Sequence, residues 1–513
     1  MPAIAIDQMF LLKHQDKIHG VLSCFDRIII RGHLPLSYAS GLEGFLYQQS
    51  ILLKDFRFYA PQVAERIKEH IKGIVGGAGA PFRHLPRKEA MEEQARRLAQ
   101  EHNIREGIVC GFSQLETCGT FRCESRAGRL RLRKDYRRCT VYYVFLMHAV
   151  FGLIHVKIHG WFPLTMQVYV NGHDFLARKL DQLGIAYTLY DNAFTWIADL
   201  AAAQACADQL LKVKLPRVLG QLARQFNPLL NAELRGKDYY WVIDQAEYAT
   251  DVLFHDAEAL AGLYPRLVEH ARACFTAEDV FRFLGRQLTS HFKGEVHTHV
   301  KRRPEGVRVS HHLKSNRLKM YDKGGRVLRI ETTINQPRDF RVRRRDRQGQ
   351  LRWQPLCKGV AWLWRYAAIS QASNARDLAA LTVVDDDSGV RRLVDRATRS
   401  VPWRGRRKRG LQPLSAEEQA LFLAVLRGEH RMRGFRNQDL VIRLYAKPCR
   451  DPRERRRRAA RVTRQIQLLR AHGLLAKIPR SRRYRVTAAG EKLMSAAIRV
   501  KEQYLPAESA AVA

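Results

Sequence analysis

Strand-like and helix-like patterns alternate in blocks along the first four hundred residues. Alternating apolar residues between positions 128 and 170 predict a β-meander, with strands at 130–133, 140–147, 153–159 and 165–170. Three more short strands are predicted around Val307, Leu318 and Leu328. Strands and helices in separate blocks are typical of α+β proteins, whereas strict βαβ alternation indicates a parallel sheet. We therefore predict an α+β fold with an antiparallel or mixed sheet.

Local signals place further elements around this block. Apolar runs predict strands at 23–34 and 239–254. Pro61 is expected in the first turn of a helix over 61–74, and Asn171 is expected to cap a helix that begins near residue 174. Other predicted helices lie at 87–102, 257–275 and 277–288.

The chain is strongly basic, and its charge is uneven. It has 89 Lys and Arg residues against 50 Asp and Glu residues, a net charge of +39. Residues 391–513 alone hold 32 Lys or Arg against 10 Asp or Glu. Dense basic runs occur at Arg341–Arg347, Arg404–Arg409 and Arg453–Arg458. One such run is usually a solvated surface, but three with little acid between them favour contact with a polyanion.

The polyanion is expected to be nucleic acid rather than a membrane. The longest nearly uninterrupted apolar run, Val141–Ile154, has 14 residues and contains His148. A bilayer span needs about 20 apolar residues. Met1–Leu12 lacks the early Lys or Arg of an export leader, and the nine scattered Cys residues favour reduced thiols. We predict a cytoplasmic protein.

Residues 414–513 carry the signals of three helices, two strands and a last helix. Ser415 and Glu418 form a capping-box pattern before the first helix, and Asn437 is expected to cap the second. The later elements are predicted at 455–472, 474–478, 484–487 and 488–504. This order, and the stretch HGLLAKIPRSRRYRVTAAGEKL, resemble the winged helix-turn-helix domains of bacterial regulators.

This resemblance implies that the third helix reads DNA and that the wing contacts its backbone. The polar side chains expected on the reading face are Arg461, Arg464, Gln465 and Gln467. The basic side chains expected to contact nucleic acid from the wing and from the segment before the domain are Arg480, Arg482, Arg483, Arg485, Arg404, Arg406, Arg407, Lys408 and Arg409. A winged helix used for protein contacts or dimerisation stays an open alternative.

The domain boundaries follow from these patterns. A chain of 513 residues is expected to form about three domains. Ser400–Pro413 is rich in Pro, Gly and Arg and has no periodicity, so it predicts a linker. We predict an N-terminal α+β region, a second α+β region, a basic linker and the winged helix-turn-helix domain, at 1–230, 231–399, 400–413 and 414–513.

The segment LKMYDKGGRVLRIE, residues 318–331, carries a second resemblance. It predicts two strands joined by an Asp-Lys-Gly-Gly turn, in which Gly324 and Gly325 can take positive φ. It resembles the IYDKG…LRIE segment of rolling-circle replication initiators of plasmids and filamentous phages. That resemblance implies nicking of one DNA strand by a Tyr nucleophile, with a divalent metal held by carboxylates.

Individual residues of the initiator motif have counterparts in this segment. Tyr321, Asp322 and Lys323 match the YDK, and Glu331 matches the acid of LRIE. In the initiators a nucleophilic Tyr lies about a dozen residues before the YDK, but Gly306–Lys314 contains no Tyr. The whole chain also resembles a widespread family of bacterial proteins of similar length. The resemblance to this bacterial family implies a bacterial origin and a mobile-element setting, and it supplies no function.

Strand transfer requires a nucleophilic oxygen and ligands for a metal. Lys323 and Glu331 are candidate catalytic residues, and Tyr321 is the first candidate nucleophile, with Tyr239, Tyr240 and Tyr248 as others. Asp26 and Glu331 are the predicted ligands of Mg²⁺ or Mn²⁺, and further candidate ligands are Asp244, Glu247 and Asp251. The alternative reading is structural: strand tyrosines that pack, and Glu331 paired with Arg329 or Arg317.

The other candidate metal ligands are weaker. The His pairs His155/His159, His297/His299 and His311/His312 lack the His-hydrophobic-His pattern or its context, and we expect surface or phosphate-contacting roles. Cys110, Cys118, Cys123 and Cys139 lack the tight pairs of a zinc site, so zinc is not favoured. Asp385–Asp387 is expected to cap or precede a helix.

The leading hypothesis is a nucleic-acid-binding protein, with DNA favoured, that acts in replication or transposition of a mobile element. Metal-dependent strand nicking would be its activity. Two alternatives remain: a non-enzymatic regulator that binds DNA through the winged helix alone, and an RNA-binding component of a ribonucleoprotein. The charge supports binding, whereas nicking depends on the YDK…RIE hairpin.

Overall fold

The computed structural model describes residues 8–86, 90–126, 128–288, 292–303, 306–346, 348–382, 384, 396–445, 449, 451–479 and 481–504. The chain divides into two compact units. The first, called the sheet unit, comprises 17–260 and 301–374, and the second, called the helical unit, comprises 1–16, 261–300 and 375–513.

The strands of the described residues are β1 Ile18–His33, β2 Phe82–His84, β3 Gly107–Arg126, β4 Arg129–His148, β5 Gly152–His159, β6 Met166–Asn171, β7 Tyr187–Tyr190, β8 Ala193–Ile197, β9 Tyr240–Phe254, β10 Val296–Arg303, β11 Gly306–Leu313, β12 Asn316–Lys323, β13 Val327–Ile334, β14 Arg341–Arg345, β15 Leu351–Pro355, β16 Val401–Trp403, β17 Arg406–Lys408, β18 Leu475–Lys477 and β19 Tyr484–Val486.

The helices of the same residues are α1 Gln8–Lys13, α2 Ala39–Gln48, α3 Phe56–Gly77, α4 Met91–Glu101, α5 Gly172–Leu183, α6 Leu200–Asp208, α7 Leu215–Phe226, α8 Ala257–Ala273, α9 Ala277–Phe283, α10 Leu363–Leu381, α11 Ala416–Val425, α12 Gly428–Arg433, α13 Asn437–Leu444, α14 Pro452–Ala471 and α15 Ala488–Tyr504.

A large mixed sheet organises the sheet unit. Neighbouring strands follow the order β11-β12-β13-β9-β1-β6-β5-β4-β3-β2. The pairing of β2 with β3 is parallel, and the pairings among the other strands from β11 to β3 are antiparallel. The predicted α+β class with a mixed sheet is therefore confirmed. The central strands β1 and β9 are long and mostly buried, because their apolar runs pack on both faces of the sheet.

Two groups of helices cover parts of this sheet. Leu176 and Leu180 of α5 pack with Phe194 of β8 against Leu22 and Leu253 of the central strands. Helix α4 belongs to a second apolar cluster that covers β3, β4 and β5. Asn171 caps α5 as predicted, since its side chain accepts hydrogen bonds from the backbone of His173 and Asp174.

The β-meander differs from its prediction in the length of its strands. The predicted strands 130–133 and 140–147 are parts of one strand, β4, which pairs along its whole length with β3. The charged residues 133–138 interrupt the apolar alternation but not the backbone pairing. Strand β3 itself was missed because Gly, Ser, Thr and Cys dilute its apolar pattern. The prediction for Pro61 was also wrong, because α3 begins at Phe56 and Pro61 lies inside it.

The helical unit contains a core shared by its C-terminal elements. Phe422, Leu440, Ile466, Leu475 and Leu493 are among the residues buried in it. The cap predictions are met in part. The Ser415 side chain accepts from the Glu418 backbone, but the Glu418 carboxylate accepts from the backbone of Gln412 instead of closing the capping box.

Two further expectations in this unit differ from the structure. Asn437 is the first residue of α13 rather than its cap, and its side-chain amide donates to the Ala459 carbonyl. The segment expected to be a linker, 400–413, contains the paired strands β16 and β17. Arg404 and Gly405 both have positive φ, 48° and 75°, which suits a tight hairpin turn. An Arg-Gly pair is a weak sequence signal for that turn.

Candidate functional site

The hairpin that carries the YDK…RIE residues lies beside the central strands. Gly324 and Gly325 in its turn have φ of 61° and 71°, as predicted. Lys319 of β12 is the cross-strand partner of Glu331 of β13, and Glu331 is in turn opposite Ala249 of β9. Since side chains alternate along a strand, Glu247, two residues from Ala249, lies on the same face as Glu331.

Three acidic side chains meet on this face. Oxygen atoms of Asp26, Glu247 and Glu331 all lie within 4.8 Å of one another, and the three residues are 5%, 4% and 1% exposed. Asp26 comes from β1, at a register shift between Phe25 and Arg27 that changes the alternation of that strand. The three residues are called the carboxylate cluster below. It brings together both predicted ligands and one further candidate.

Lys319 supplies positive charge to the carboxylate cluster. Its Nζ donates to Oε1 of Glu331 and lies 3.4 Å from Oε1 of Glu247. Arg317 approaches the same Glu247 oxygen at 3.8 Å. Lys319 is 7% exposed, so its ammonium is desolvated with the carboxylates that it contacts. It was not among the sequence candidates, although it lies two residues before Tyr321 and therefore on the same face.

Tyr321 is the candidate nucleophile that reaches the cluster. Its hydroxyl donates to Oε2 of Glu331 over 2.5 Å. Burial and the negative charge of Glu331 raise the pKa of Tyr321 well above its ordinary value. The phenol is therefore protonated at neutral pH, with a carboxylate in place to accept its proton. The alternative pairing of Glu331 with Arg329 is not what the structure shows.

A second layer of polar residues holds Asp26 in place. Arg329, fully buried, donates to both oxygens of Asp251 over 2.7 Å. Its Nη2 also lies 3.0 Å from Nε2 of His173. The other ring nitrogen of His173, Nδ1, lies 3.1 Å from Oδ1 of Asp26. Asn192 donates to the same Asp26 oxygen over 2.7 Å.

The carboxyl groups of the cluster differ in their affinity for a proton. Burial raises the pKa of Asp26, but the hydrogen bond and charge of His173 and the charge of Arg329 outweigh it and hold that pKa well below its ordinary value. Burial and the charge of Glu331 raise the pKa of Glu247. Asp26 is therefore ionised, whereas the ionised form of Glu247 is disfavoured. A cation bound beside Glu247 would favour its ionised form.

The other sequence candidates lie elsewhere. The Lys323 ammonium contacts the carboxylate of Asp191, and Asp244 pairs with Arg31 at 2.6 Å. Tyr239 is buried and donates to the backbone of Leu164, which is a structural role. Tyr248 is buried and packs edge-on against Phe25, while Tyr240 is 65% exposed. Asp251 is occupied by Arg329.

The basic residues of the helical unit meet in a cleft of about 700 Å³. It is called the basic cleft. Its lining residues are Arg407, Lys408, Arg409, Glu417, Tyr445, Glu454, Arg457, Arg458, Arg461, Arg464, Gln465 and Leu468. The cleft therefore joins two basic runs that are separate in sequence, 404–409 and 453–458. Glu417 accepts from Gln465 over 2.8 Å and lies 3.0 Å from Arg461.

The remaining predicted nucleic-acid contacts do not line this cleft. Arg404, Arg406, Arg482 and Arg485 are exposed, and Gln467 is half-buried. Arg483 donates to the backbone of Gly434. Arg480 and Asp385–Asp387 lie outside the described residues.

Comparison of the chain with protein-family models, with curated proteins and with solved structures gave no match. Within the part of the chain that the structure describes, no helix has the length and apolar character needed to cross a membrane. The carboxylate cluster and the basic cleft are therefore the features that bear on function.

Proposed function

We propose that the sheet unit cleaves a phosphodiester bond of nucleic acid at the carboxylate cluster, with a divalent cation held by Asp26, Glu247 and Glu331. The observation that carries this proposal is the burial of three carboxylates within 4.8 Å of one another. Buried charges rarely stabilise a fold as well as apolar side chains of the same volume. Such a cluster is therefore better explained by a function than by stability.

The donor set fits a hard cation. Carboxylate oxygens are ligands that Mg²⁺ and Mn²⁺ prefer, and neither a thiol nor an imidazole belongs to the set. A cation bound there would polarise the phosphate and offset its charge. Lys319 contacts two of the same carboxylates, so it balances their charge when no cation is bound. Arg317, half-buried and 3.8 Å from the Glu247 carboxylate, would be the cation that contacts the phosphate.

Tyr321 and its neighbours account for strand transfer. The Tyr321 oxygen would attack phosphorus while its proton passes to Glu331. The bond from phosphorus to the 3′ oxygen would break, and the leaving oxygen would take a proton from Lys319. The products are a DNA 3′-hydroxyl and a 5′-phosphate ester on Tyr321. This assignment uses the tyrosine in contact with Glu331 in place of the one missing from Gly306–Lys314.

The test uses supercoiled plasmid DNA with Mg²⁺ or Mn²⁺. Wild-type protein is expected to convert it to the nicked form and to leave a covalent protein–DNA adduct, and EDTA is expected to stop the reaction. Glu331→Gln should remove nicking, and Tyr321→Phe should remove the adduct. Asp244→Asn is the matched control, because Asp244 is a candidate acid that pairs with Arg31 instead. Nicking without an adduct would assign the attack to water.

We further propose that α11, α13, α14 and the β18–β19 pair form a winged helix-turn-helix that binds DNA. The order of these elements and the basic cleft beside α14 support the proposal. It would place the protein in replication or transposition of a mobile element in the bacterial cytoplasm. Arg457→Gln/Arg464→Gln should weaken duplex DNA binding. Equal binding of RNA duplex, or co-purified nucleic acid that only RNase degrades, would favour the RNA-binding alternative.

A further inference from the structure

The β3–β4 hairpin extends well past the body of the sheet. Strand β2 pairs with residues 111–113 of β3, and β5 pairs with residues 141–148 of β4. Among the described residues, 114–126 of β3 and 129–140 of β4 pair with each other and with no third strand. Between the cross-strand pair Thr117/Arg138 and the pair Arg126/Arg129, each strand contributes ten residues. Ten residues span about 30 Å at 3.3 Å per residue. This two-stranded part is called the ribbon.

The ribbon is strongly basic. Residues 114–140 contain eight Lys or Arg residues and three Asp or Glu residues. The carboxylate of Glu124 lies 3.4 Å from Arg122 and 3.5 Å from Arg133, and Asp135 lies 3.8 Å from Arg122. These acids thus serve two of the arginines. The cations exposed on β4 without a carboxylate partner among the described residues are Arg129, Arg131, Lys134, Arg137 and Arg138.

Packing holds the ribbon in a fixed shape. Phe121 and Leu132 are 5% and 6% exposed, so one face is packed against the protein. The Glu43 carboxylate of α2 accepts from the Leu132 backbone over 3.0 Å, and Thr120 donates to the Phe162 carbonyl over 2.8 Å. The exposed cations are therefore presented at a spacing set by the strand rather than on a mobile loop.

We propose that the ribbon is a docking surface for duplex DNA, which deepens the proposed function and rests on it for the choice of nucleic acid. A two-stranded ribbon fits the major groove of B-form DNA, which is about 12 Å wide, whereas the major groove of RNA duplex is too narrow. Its length of about 30 Å approaches one helical turn of DNA. Single strands are bound by several stacked aromatics, and the ribbon exposes one, Tyr136.

The first test measures binding of the full-length protein to a fluorescein-labelled 30-base-pair DNA duplex in EDTA, across a range of salt concentrations. Lys134→Gln/Arg138→Gln, which removes two exposed cations on the same face as Tyr136, should weaken binding. The slope of log affinity against log salt should fall by about two, since each lost phosphate contact lowers that slope by about one. Lys68→Gln/Lys72→Gln is the matched control, because those cations lie on α3 beside Glu65 and Glu69. Circular dichroism checks that both variants are folded.

The second test uses a photo-crosslinking amino acid, p-benzoylphenylalanine, in place of Tyr136 or of Tyr240, which are 79% and 65% exposed. Crosslinking to the duplex is expected at position 136 and not at position 240. The proposal is overturned if the ribbon variant keeps the wild-type slope, if the control variant loses as much, or if position 136 does not crosslink. Failure of plasmid nicking would not affect these results, because binding is measured without a divalent cation.

Discussion

The ammonium of Lys319 contacts the carboxylate of Glu331, its cross-strand partner, and lies 3.4 Å from the carboxylate of Glu247. Two of the three acids of the carboxylate cluster thus share one buried cation from the chain itself. A divalent cation that bound the cluster would compete with Lys319 for the same oxygens. In the proposed function, this contact would affect metal binding, stability and the supply of a proton to the leaving oxygen.

Replacement of Lys319 with Met tests this competition. Without the ammonium the buried carboxylates repel each other, so the metal-free variant should be less stable by about 3 kcal/mol. Its affinity for Mn²⁺ should rise about tenfold or more, because no internal cation opposes the metal. Calorimetric titration with Mn²⁺ and thermal unfolding measure the two effects. Lys323→Met, whose ammonium contacts Asp191, should change neither; an unchanged Mn²⁺ affinity in Lys319→Met would contradict the account.

Arg329 should be essential for the fold around Asp26. Its guanidinium is fully buried and bonds both oxygens of Asp251, and Lys cannot reproduce that paired geometry. Arg329→Lys should lower stability by about 3 kcal/mol or more. The double variant Arg329→Met/Asp251→Leu should recover part of the loss, because no charge is left unpaired. Thermal unfolding compares the three proteins, and a double variant less stable than Arg329→Lys would argue against this pairing.

Asp377 predicts a pH dependence of stability in the helical unit. Burial raises the pKa of this carboxyl to about 7. A folded-state pKa above the unfolded value favours folding with the proton bound, so this contribution is present below pH 3.8 and is lost as pH rises toward 7. Asp377→Asn should match wild type near pH 4 and exceed it by up to about 4 kcal/mol at pH 8. Scanning calorimetry at both pH values checks this; equal stability at pH 8 would contradict it.

Glu417 is expected to restrain the basic cleft. It bonds Gln465 and pairs with Arg461, two residues expected to contact DNA. Glu417→Gln should release Arg461 and remove a charge that repels phosphate, and duplex affinity should rise several-fold. Fluorescence anisotropy measures the change, with Glu93→Gln on α4 as a control of equal charge. An equal gain in both variants would show that net charge alone is responsible.

Sequence reasoning located part of the carboxylate cluster. The YDK…RIE hairpin and its turn were predicted, since alternation and turn residues are local signals. Asp26 was named as a candidate ligand for a cation, and Glu331 was named as one through the resemblance to the LRIE segment. Lys319 could have been found by the same alternation. His173 and Asn192 could not, because they come from segments far from Asp26 and Arg329 in sequence and meet them only through the packing of α5 and the β7–β8 pair.

The ribbon and the hairpin at 401–408 show a different limit. Backbone pairing continues through the exposed charges of residues 133–138, where the apolar alternation ends. The first residue of the β16–β17 turn is Arg404, which has positive φ at a position where Asn, Asp or Gly is usual, and Gly405 follows it. In both places the pairing of backbone groups decides the structure, and side-chain patterns do not record it.

The central claim is that Asp26, Glu247 and Glu331 hold the cation that cleaves DNA. Its most direct measurement is the rate of Mn²⁺-dependent nicking of supercoiled plasmid by wild type, Glu247→Gln and Asp244→Asn. The account predicts that Glu247→Gln is slower by about a hundredfold or more, as loss of one stabilising group often is, and that Asp244→Asn keeps the wild-type rate. Wild-type protein that never nicks DNA, or Glu247→Gln protein as fast as wild type, would contradict it.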